Sequence, residues 1–485
     1  MKNLFIGALL LSIWCVTLFL EKSIGLSMLL FVVPLTYYII HILEKNNKIE
    51  NPKTKVLILP IILLASTYFL FNNSFFNTIN IFAIPILIVI MILGLFKEKF
   101  ELSPNLINKI FDIVFTPISF IGETFEKLTR YLGEKCKINI DSKKEHKIKR
   151  VIKSILITIP IVFVIIILLS SADEIFGKIF INIFEWIVTA IGKIKISSIF
   201  ARIILIFLTF TYLLCFFDFI TSRYKKEVEE EKHKKINDNF TIKMILTSLN
   251  IVYVLFCYIQ IKSLFMRNLE INYAQYARQG FFQLMIVSVI NLVTILIAKK
   301  NENIENKKEN KYINTMCILM IVLTFIILVS SAVRMYFYES AYGYTILRLL
   351  VYVVLATEAI LLIPTIMYVL DKNIDLAKTY FAIILSAYVV TNMANINSII
   401  TKRNVNRYFE TGKLDFYYLK NEIGIDCIPE ISEILETEEA VGHKDLHSDI
   451  RKYVYEEITE LENEPVDFRD FNISKMLVKN MKQYL

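Results

Sequence analysis

The sequence predicts an all-α, polytopic integral membrane protein of about eleven transmembrane helices, followed by a small helical C-terminal extramembrane region. Three observations predict it. The chain is 55% hydrophobic with a mean hydropathy of +0.53, against roughly 45–50% apolar residues in soluble domains. Apolar runs of roughly 17–24 residues recur along it, and about 20 helical residues cross a hydrocarbon core. The connections between these runs alternate between Lys-rich and Lys-poor, as loops on opposite faces of a membrane do.

Hydrocarbon offers no water to backbone polar groups, so each apolar run is read as a helix. The spans fall at 4–20, 24–42, 56–71, 78–96, 152–171, 199–220, 241–264, 280–298, 313–333, 346–368 and 376–394. Residues 4–20 follow Lys2 as a signal peptide would. They lack a small-residue cleavage site and lead at once into a second apolar run, so a retained span is expected.

The chain divides into N-terminal transmembrane hairpins (1–96), a basic amphipathic loop (97–151), a transmembrane core (152–396) and a C-terminal helical tail (397–485). In the loop, Leu106, Ile110, Ile113, Val114, Ile118 and Ile121 recur at helical spacing, which suits a helix lying in the interface. Lys97 to Lys153 contains 13 Lys and Arg, the strongest topological mark in the chain. Residues 172–198, rich in Phe, form a second amphipathic segment.

Loops 43–55, 97–151, 221–240 and 299–312 are Lys-rich, and 72–77, 172–198, 265–279 and 334–345 are Lys-poor. Positive loops face the cytoplasm, so the N-terminus is expected inside a cytoplasmic membrane and the tail, after eleven spans, outside it. Paired amphipathic positions in the tail (Ile431, Ile434, Leu435; Val454, Ile458, Leu461) predict short helices packed on each other or on the membrane's outer face.

The net charge of +8 does not indicate nucleic acid. Residues 401–485 hold 12 Lys and Arg against 18 Asp and Glu, so the excess lies in the interspan loops, where it sets topology. The lipid bilayer is the expected partner, with a lipid headgroup or another membrane protein as further candidates. Six scattered Cys form no zinc or disulfide pattern. His443 and His447 stand i,i+4, but the K-D-L between them is not a metalloprotease signature, and no metal or cofactor is expected. No Walker loop, GxSxG or GxGxxG motif is present, which leaves enzymatic activity open.

Two Lys-poor connections are chemically alike. One carries Arg267, Glu270, Tyr276 and Arg278; the other carries Arg334, Tyr338, Glu339, Tyr342, Tyr344 and Arg348. Arg offers a planar fork for carboxylate or phosphate, and Tyr an apolar ring with a hydrogen-bonding end. The functional expectation is an outer-face surface for an anionic or headgroup-like ligand. The bland alternative is an aromatic belt with Arg–Glu pairs at helix ends. Glu358 is the clearest ionisable residue within a span, the position expected of a coupling group in a transporter. A membrane enzyme using Glu270 or Glu339, and a non-catalytic scaffold, are the remaining readings. Asn250 and Asn291 read as interhelical hydrogen-bond partners.

Three segments carry a resemblance. They are Y-A-Q-Y-A-R-Q-G-F-F-Q-L (273–284), R-M-Y-F-Y-E-S-A-Y-G-Y-T-I-L-R-L (334–349) and N-I-N-S-I-I-T-K-R-N-V-N-R-Y-F-E-T-G-K-L-D-F-Y-Y-L (395–419), continued by D-C-I-P-E-I (426–431). They resemble a bacterial multi-pass membrane family catalogued as a domain of unknown function of the 4173/4153 type. That pattern has Leu where this chain has Tyr344. The resemblance covers roughly 250–435 and implies topology and segment choice rather than a reaction. Asn395, Asn397, Asn404, Arg407 and Asp415 are expected to link the tail to the last span.

Overall fold

The computed structural model describes residues 1–96, 104–136, 197–224, 239–265, 281–301, 307–371, 374–436, 444–465 and 467–481, and all regular structure among them is helical. Twelve helices build the membrane part: α1 (Lys2–Phe19), α2 (Leu26–Lys45), α3 (Ile58–Leu70), α4 (Ser74–Leu95), α5 (Pro104–Ser119), α6 (Ile121–Cys136), α7 (Ser197–Asp218), α8 (Asn239–Phe265), α9 (Phe281–Asn301), α10 (Lys307–Tyr342), α11 (Ile346–Leu370) and α12 (Leu376–Met393). Four more form the tail: α13 (Ile396–Thr411), α14 (Ile428–Leu435), α15 (Lys444–Asn463) and α16 (Ile473–Lys479). Ten helices among the described residues are long and apolar enough to cross a membrane. They match ten of the eleven expected spans; the other, 152–171, lies outside the described residues, as does the amphipathic segment 172–198 up to residue 196.

The bundle has two halves. Helix α1 packs between α2 and α7, and α3 and α4 follow, around a core that includes Ala8, Leu64, Met91, Leu214 and Phe217. In the other half, α8, α9 and α11 surround α10, with Leu246, Ile295, Met320 and Leu355 between them. Helix α12 touches both α3 and α11 and so joins the halves. Ile251, Val252, Leu255 and Ile259 of α8 are exposed, as a lipid-facing stripe should be.

The expected amphipathic helix over 104–133 is two helices, broken at Phe120 after Pro117. Their inward residues, such as Ile113 and Leu128, are buried against the first half, while Ile107, Phe111, Phe115 and Ile118 stay exposed. Buried Asp218 of α7 clamps α6 in place: Lys127 Nζ reaches both its oxygens at 2.9 Å, and Arg223 Nε one of them at 3.0 Å.

One expectation is corrected. Residues 334–345 are not a loop. Helix α10 continues through them to Tyr342, leaving Gly343–Thr345 as the whole connection. At 1.5 Å per residue its 36 residues span about 54 Å, well beyond the roughly 30 Å hydrocarbon thickness. The polar stretch therefore projects from the membrane as helix rather than ending the span. Buried Met335 and Glu339 on its inner face explain why it stays helical.

The tail has its own core, including Ile400, Val405, Cys427, Ile431, Val454, Ile458 and Val478. It covers the bundle end that carries the links 20–25, 71–73 and 343–345. Leu26 N donates to Phe471 O at 3.1 Å, Ser27 N to Arg469 O at 2.9 Å, and Asn472 Nδ2 to Tyr68 O and Phe71 O at 3.0 and 2.9 Å. Gly25 allows this approach, because a Cβ there would stand 2.7 Å from the Asp470 carbonyl carbon and the Phe471 oxygen. Gly25→Val should push the 467–472 strap away and remove backbone bonds worth about 1 kcal/mol each. Limited proteolysis should then cut within 465–481 roughly tenfold faster with the bundle intact; an unchanged rate would contradict this docking.

Candidate functional site

The stretch 334–348 meets the tail in a joint built from backbone geometry upward. Gly343 has φ +83°, the left-handed conformation that ends α10, and its N–H donates to Glu339 O at 2.7 Å. Thr345 then caps α11 by accepting from Arg348 N. Asn404 of α13 brackets Tyr344: its Oδ1 accepts from Tyr344 N and its Nδ2 donates to Tyr344 O, both at 2.9 Å. A Cβ on Gly343 would lie 2.8 Å from that Oδ1. Arg407 donates to Ala341 O at 2.8 Å and to Ser340 O at 3.4 Å, supplying cation and donors at a helix C-terminus.

Arg348 stacks over the Tyr338 ring, 4.4 Å from its centre, and donates to Gly343 O and to Tyr338 Oη. Tyr338 and Tyr342 rings lie 5.1 Å apart. Glu339 is buried and accepts from Tyr352 Oη at 3.0 Å. Arg403 approaches the Tyr344 ring at 5.7 Å. Arg334 stands apart from this joint, donating to Gln260 Oε1 of α8 at 2.7 Å beside Ser330 Oγ.

Of the sequence-predicted residues, the structure brings Tyr338, Glu339, Tyr342, Tyr344, Arg348, Asn404 and Arg407 to this joint. Arg267, Glu270, Tyr276 and Arg278 lie outside the described residues. Asp415 caps the short turn at Tyr418, whose Oη accepts from Ile346 N at 2.8 Å. Asn395 caps α13 from a left-handed conformation. Asn397 is buried between tail and bundle, accepting from Asn73 Nδ2 and donating to Asp426 Oδ2, each at 2.9 Å.

Asp426, 5% exposed, is a binding group that sequence reasoning quoted only as part of a motif. Its oxygens accept from Asn72 N at 3.1 and 3.2 Å, at the entry to α4. Burial pushes its carboxyl up from the usual range, with hydrogen bonds from Ser474, Asn397 and Asn72 opposing that rise. Glu430, hydrogen-bonded by Ser398 Oγ, is raised by burial too. No signal in the single sequence marks Asn73 or Asn472 as docking residues.

A second polar group lies inside the membrane bundle. Glu358 is 4% exposed on α11 and contacts Ser288 Oγ of α9 through Oε2. Asn291 Nδ2, one turn along α9, donates to Thr324 Oγ1 of α10 at 2.9 Å. Glu358 Oε1 and Asn291 Oδ1 are buried without a hydrogen-bond partner. Asn250 of α8 bonds to Met316 O of α10 at 3.0 Å. Among the described residues, no group of three or more His, Cys, Asp or Glu is gathered for a metal ion.

Fold and polar interior together define a multi-pass α-helical membrane protein. The model of the family described as "Domain of unknown function (DUF4153)" matches residues 58–434, and the chain belongs to that family. The match takes in both the joint and the mid-bundle group. No curated protein and no solved structure matches the chain.

The raised carboxyls of Asp426 and Glu430 give tail docking a pH dependence. A carboxyl raised in the docked state takes up its proton more readily there than when released. Docking is therefore strongest below the unperturbed carboxylate range and weakens as pH rises through the raised values. Hydrogen exchange over 426–434, corrected for intrinsic rates, should show greater protection near pH 5 than near pH 7.5. Asp426→Asn should shrink the difference. Protection that grows with pH would refute the assignment.

Proposed function

We propose that this chain is a proton- or cation-coupled membrane protein in which Glu358 is the coupling group. The observation that carries the reading is a mid-span carboxyl, buried, with one oxygen left without a partner. A charge at the centre of a bilayer costs several kcal/mol, and ionisable groups found there commonly mark ion or proton pathways. Glu358 and Asn291 are the central residues of α11 and α9, and Thr324 is at the middle of α10. The three helices thus bring their polar groups together at one level, where secondary transporters hold their ions.

A second reading rests on the clustering of Arg348, Arg403 and Arg407 with Tyr338, Tyr342 and Tyr344 at the tail-covered end. On positive-inside grounds that end faces outward from a cytoplasmic membrane with the N-terminus inside. An anionic headgroup or a membrane-protein partner would meet Arg403 and the half-exposed Tyr342 there. It is the weaker reading, because Arg348 and Arg407 direct donors at main-chain oxygens of the joint itself. Glu339 is a poor base for an outer substrate, since it is buried against Tyr352.

Glu358→Gln keeps shape and removes the charge. In a deletion strain it should fail to restore any growth phenotype that wild type restores, while accumulating in the membrane to the wild-type amount. Full complementation by Glu358→Gln would remove the coupling role.

A further inference from the structure

Hydrogen bookkeeping at the mid-bundle group narrows what it can hold. Thr324 Oγ1 sits 2.7 Å from Met320 O and donates its only proton there. It can therefore only accept from Asn291, which fixes Nδ2 toward Thr324 and leaves Oδ1 as the buried oxygen without a donor. Ser288 also has one hydroxyl proton but two acceptors in reach, Met285 O at 2.7 Å and Glu358 Oε2. If that proton goes to Met285, the contact with Glu358 requires a proton on the carboxyl. If it goes to Glu358, the carboxyl needs no proton on that oxygen and can be ionised. The same heavy-atom geometry accommodates two states that differ by one proton.

In the ionised state, Glu358 Oε1 has no donor of its own. Asn291 lies three residues beyond Ser288 on the same face of α9, a spacing of about 5–6 Å between Cβ atoms. Two electron-rich oxygens without donors in an apolar bundle are costly unless positive charge lies between or beside them.

We propose that the Glu358–Asn291 site is an exchange site that holds either one proton or one monovalent alkali cation, but not both. The donors are hard oxygens: Glu358 Oε1, Asn291 Oδ1 and the remaining lone pairs of Ser288 Oγ and Thr324 Oγ1. Such oxygens suit alkali and alkaline-earth ions rather than soft metals. A single carboxylate neutralises one positive charge, so a divalent ion would leave an uncompensated charge in the bundle. The exchange balances. The carboxyl O–H breaks, its proton leaves to water, and the cation takes its place on the carboxylate, so the site stays neutral.

Several charged and titratable groups on the surrounding helices bond to partners other than Glu358. On α9, Lys299 pairs with Asn314; on α10, Arg334 bonds Gln260 and Glu339 accepts from Tyr352 of α11. On α12, Lys378 pairs with Asp375, and Tyr380 bonds Thr365 of α11. Ser288 is the hydrogen-bond partner the structure gives Glu358, so proton and cation contend with each other at its carboxyl.

This inference rests on the coupling reading above, and its test separates the two. Purified full-length protein in detergent is unfolded thermally in sodium, potassium, lithium or choline chloride at matched ionic strength, from about pH 6 to pH 8. At least one alkali cation should raise the unfolding temperature over choline. Its apparent affinity should weaken about tenfold for each unit of falling pH while the carboxyl is mostly protonated. Adding that cation to weakly buffered protein should release about one proton per chain. Asn291→Leu should weaken the cation effect about tenfold or more; if that variant does not fold, proton release from the wild type decides. No stabilisation by any of the three cations, or stabilisation independent of pH, overturns the exchange site. Should Glu358→Gln still fail to complement in that case, coupling by proton alone survives; full complementation removes both.

Discussion

A polar group inside hydrocarbon has no water to fall back on, and this shortage of partners organises the molecule. Helix contacts in the bundle are marked by side chains that satisfy one another across spans. Asn80 of α4 donates to Asn392 of α12 at 2.9 Å and accepts from Tyr388 at 2.6 Å, holding α12 against the first half. Asn250 and Asn291 fasten α8 and α9 to α10. Intrahelical Thr hydroxyls turn back onto carbonyls of their own helix, as at Thr36, Thr211 and Thr365. Apolar packing alone would not choose between helix orientations in lipid, because lipid tails are as apolar as Leu.

The same shortage explains the tail. Each helix end leaves backbone donors or acceptors without intrahelical partners, and at a membrane boundary these cluster. Arg407 serves the carbonyls ending α10, Asn404 the link after it, and Asn472 the carbonyls at the end of α3. Asp426 takes the Asn72 N–H before α4. The tail is thus the polar closure of the bundle end rather than an appended module. Its acidic composition fits that task only where carboxylates find N–H groups, and the burial of Asp426 and Glu430 shows the cost as raised carboxyls.

Among the buried groups left with an unpartnered oxygen, Glu358 is the carboxyl that lies at the middle of a span, and it draws the functional reading. The helices that carry it and Thr324, α11 and α10, are also the two joined at Gly343–Thr345. One packed pair of helices therefore runs from the mid-bundle oxygens to the tail joint. In the proposed coupling, a change in charge at Glu358 would bear on the two helices whose ends meet the tail.

Much of this was legible in one dimension because the bilayer imposes a one-dimensional rule. Span length, helical character, the Lys alternation and the isolation of Glu358 follow from where apolar runs start and stop. The family-like motifs also pointed to the right segments: Gly343, Thr345 and Arg348 are explained by a left-handed turn, a cap and a stacked cation. Most of what the sequence read as a loop over 334–345 is helix, up to Tyr342, because hydropathy registers the end of an apolar run but not the end of a helix whose other face is buried by neighbours. The Arg and Tyr side chains, grouped in the sequence as a ligand surface, spend much of their hydrogen bonding on the joint, since only tertiary contact decides which donors remain. Partners far apart in the chain, such as Asn72 with Asp426 and Ser288 with Glu358, meet through packing directions that no local pattern encodes. The sequence determined that the chain crosses a membrane as helices, and tertiary structure alone decided which polar groups were satisfied there and which were left without a partner.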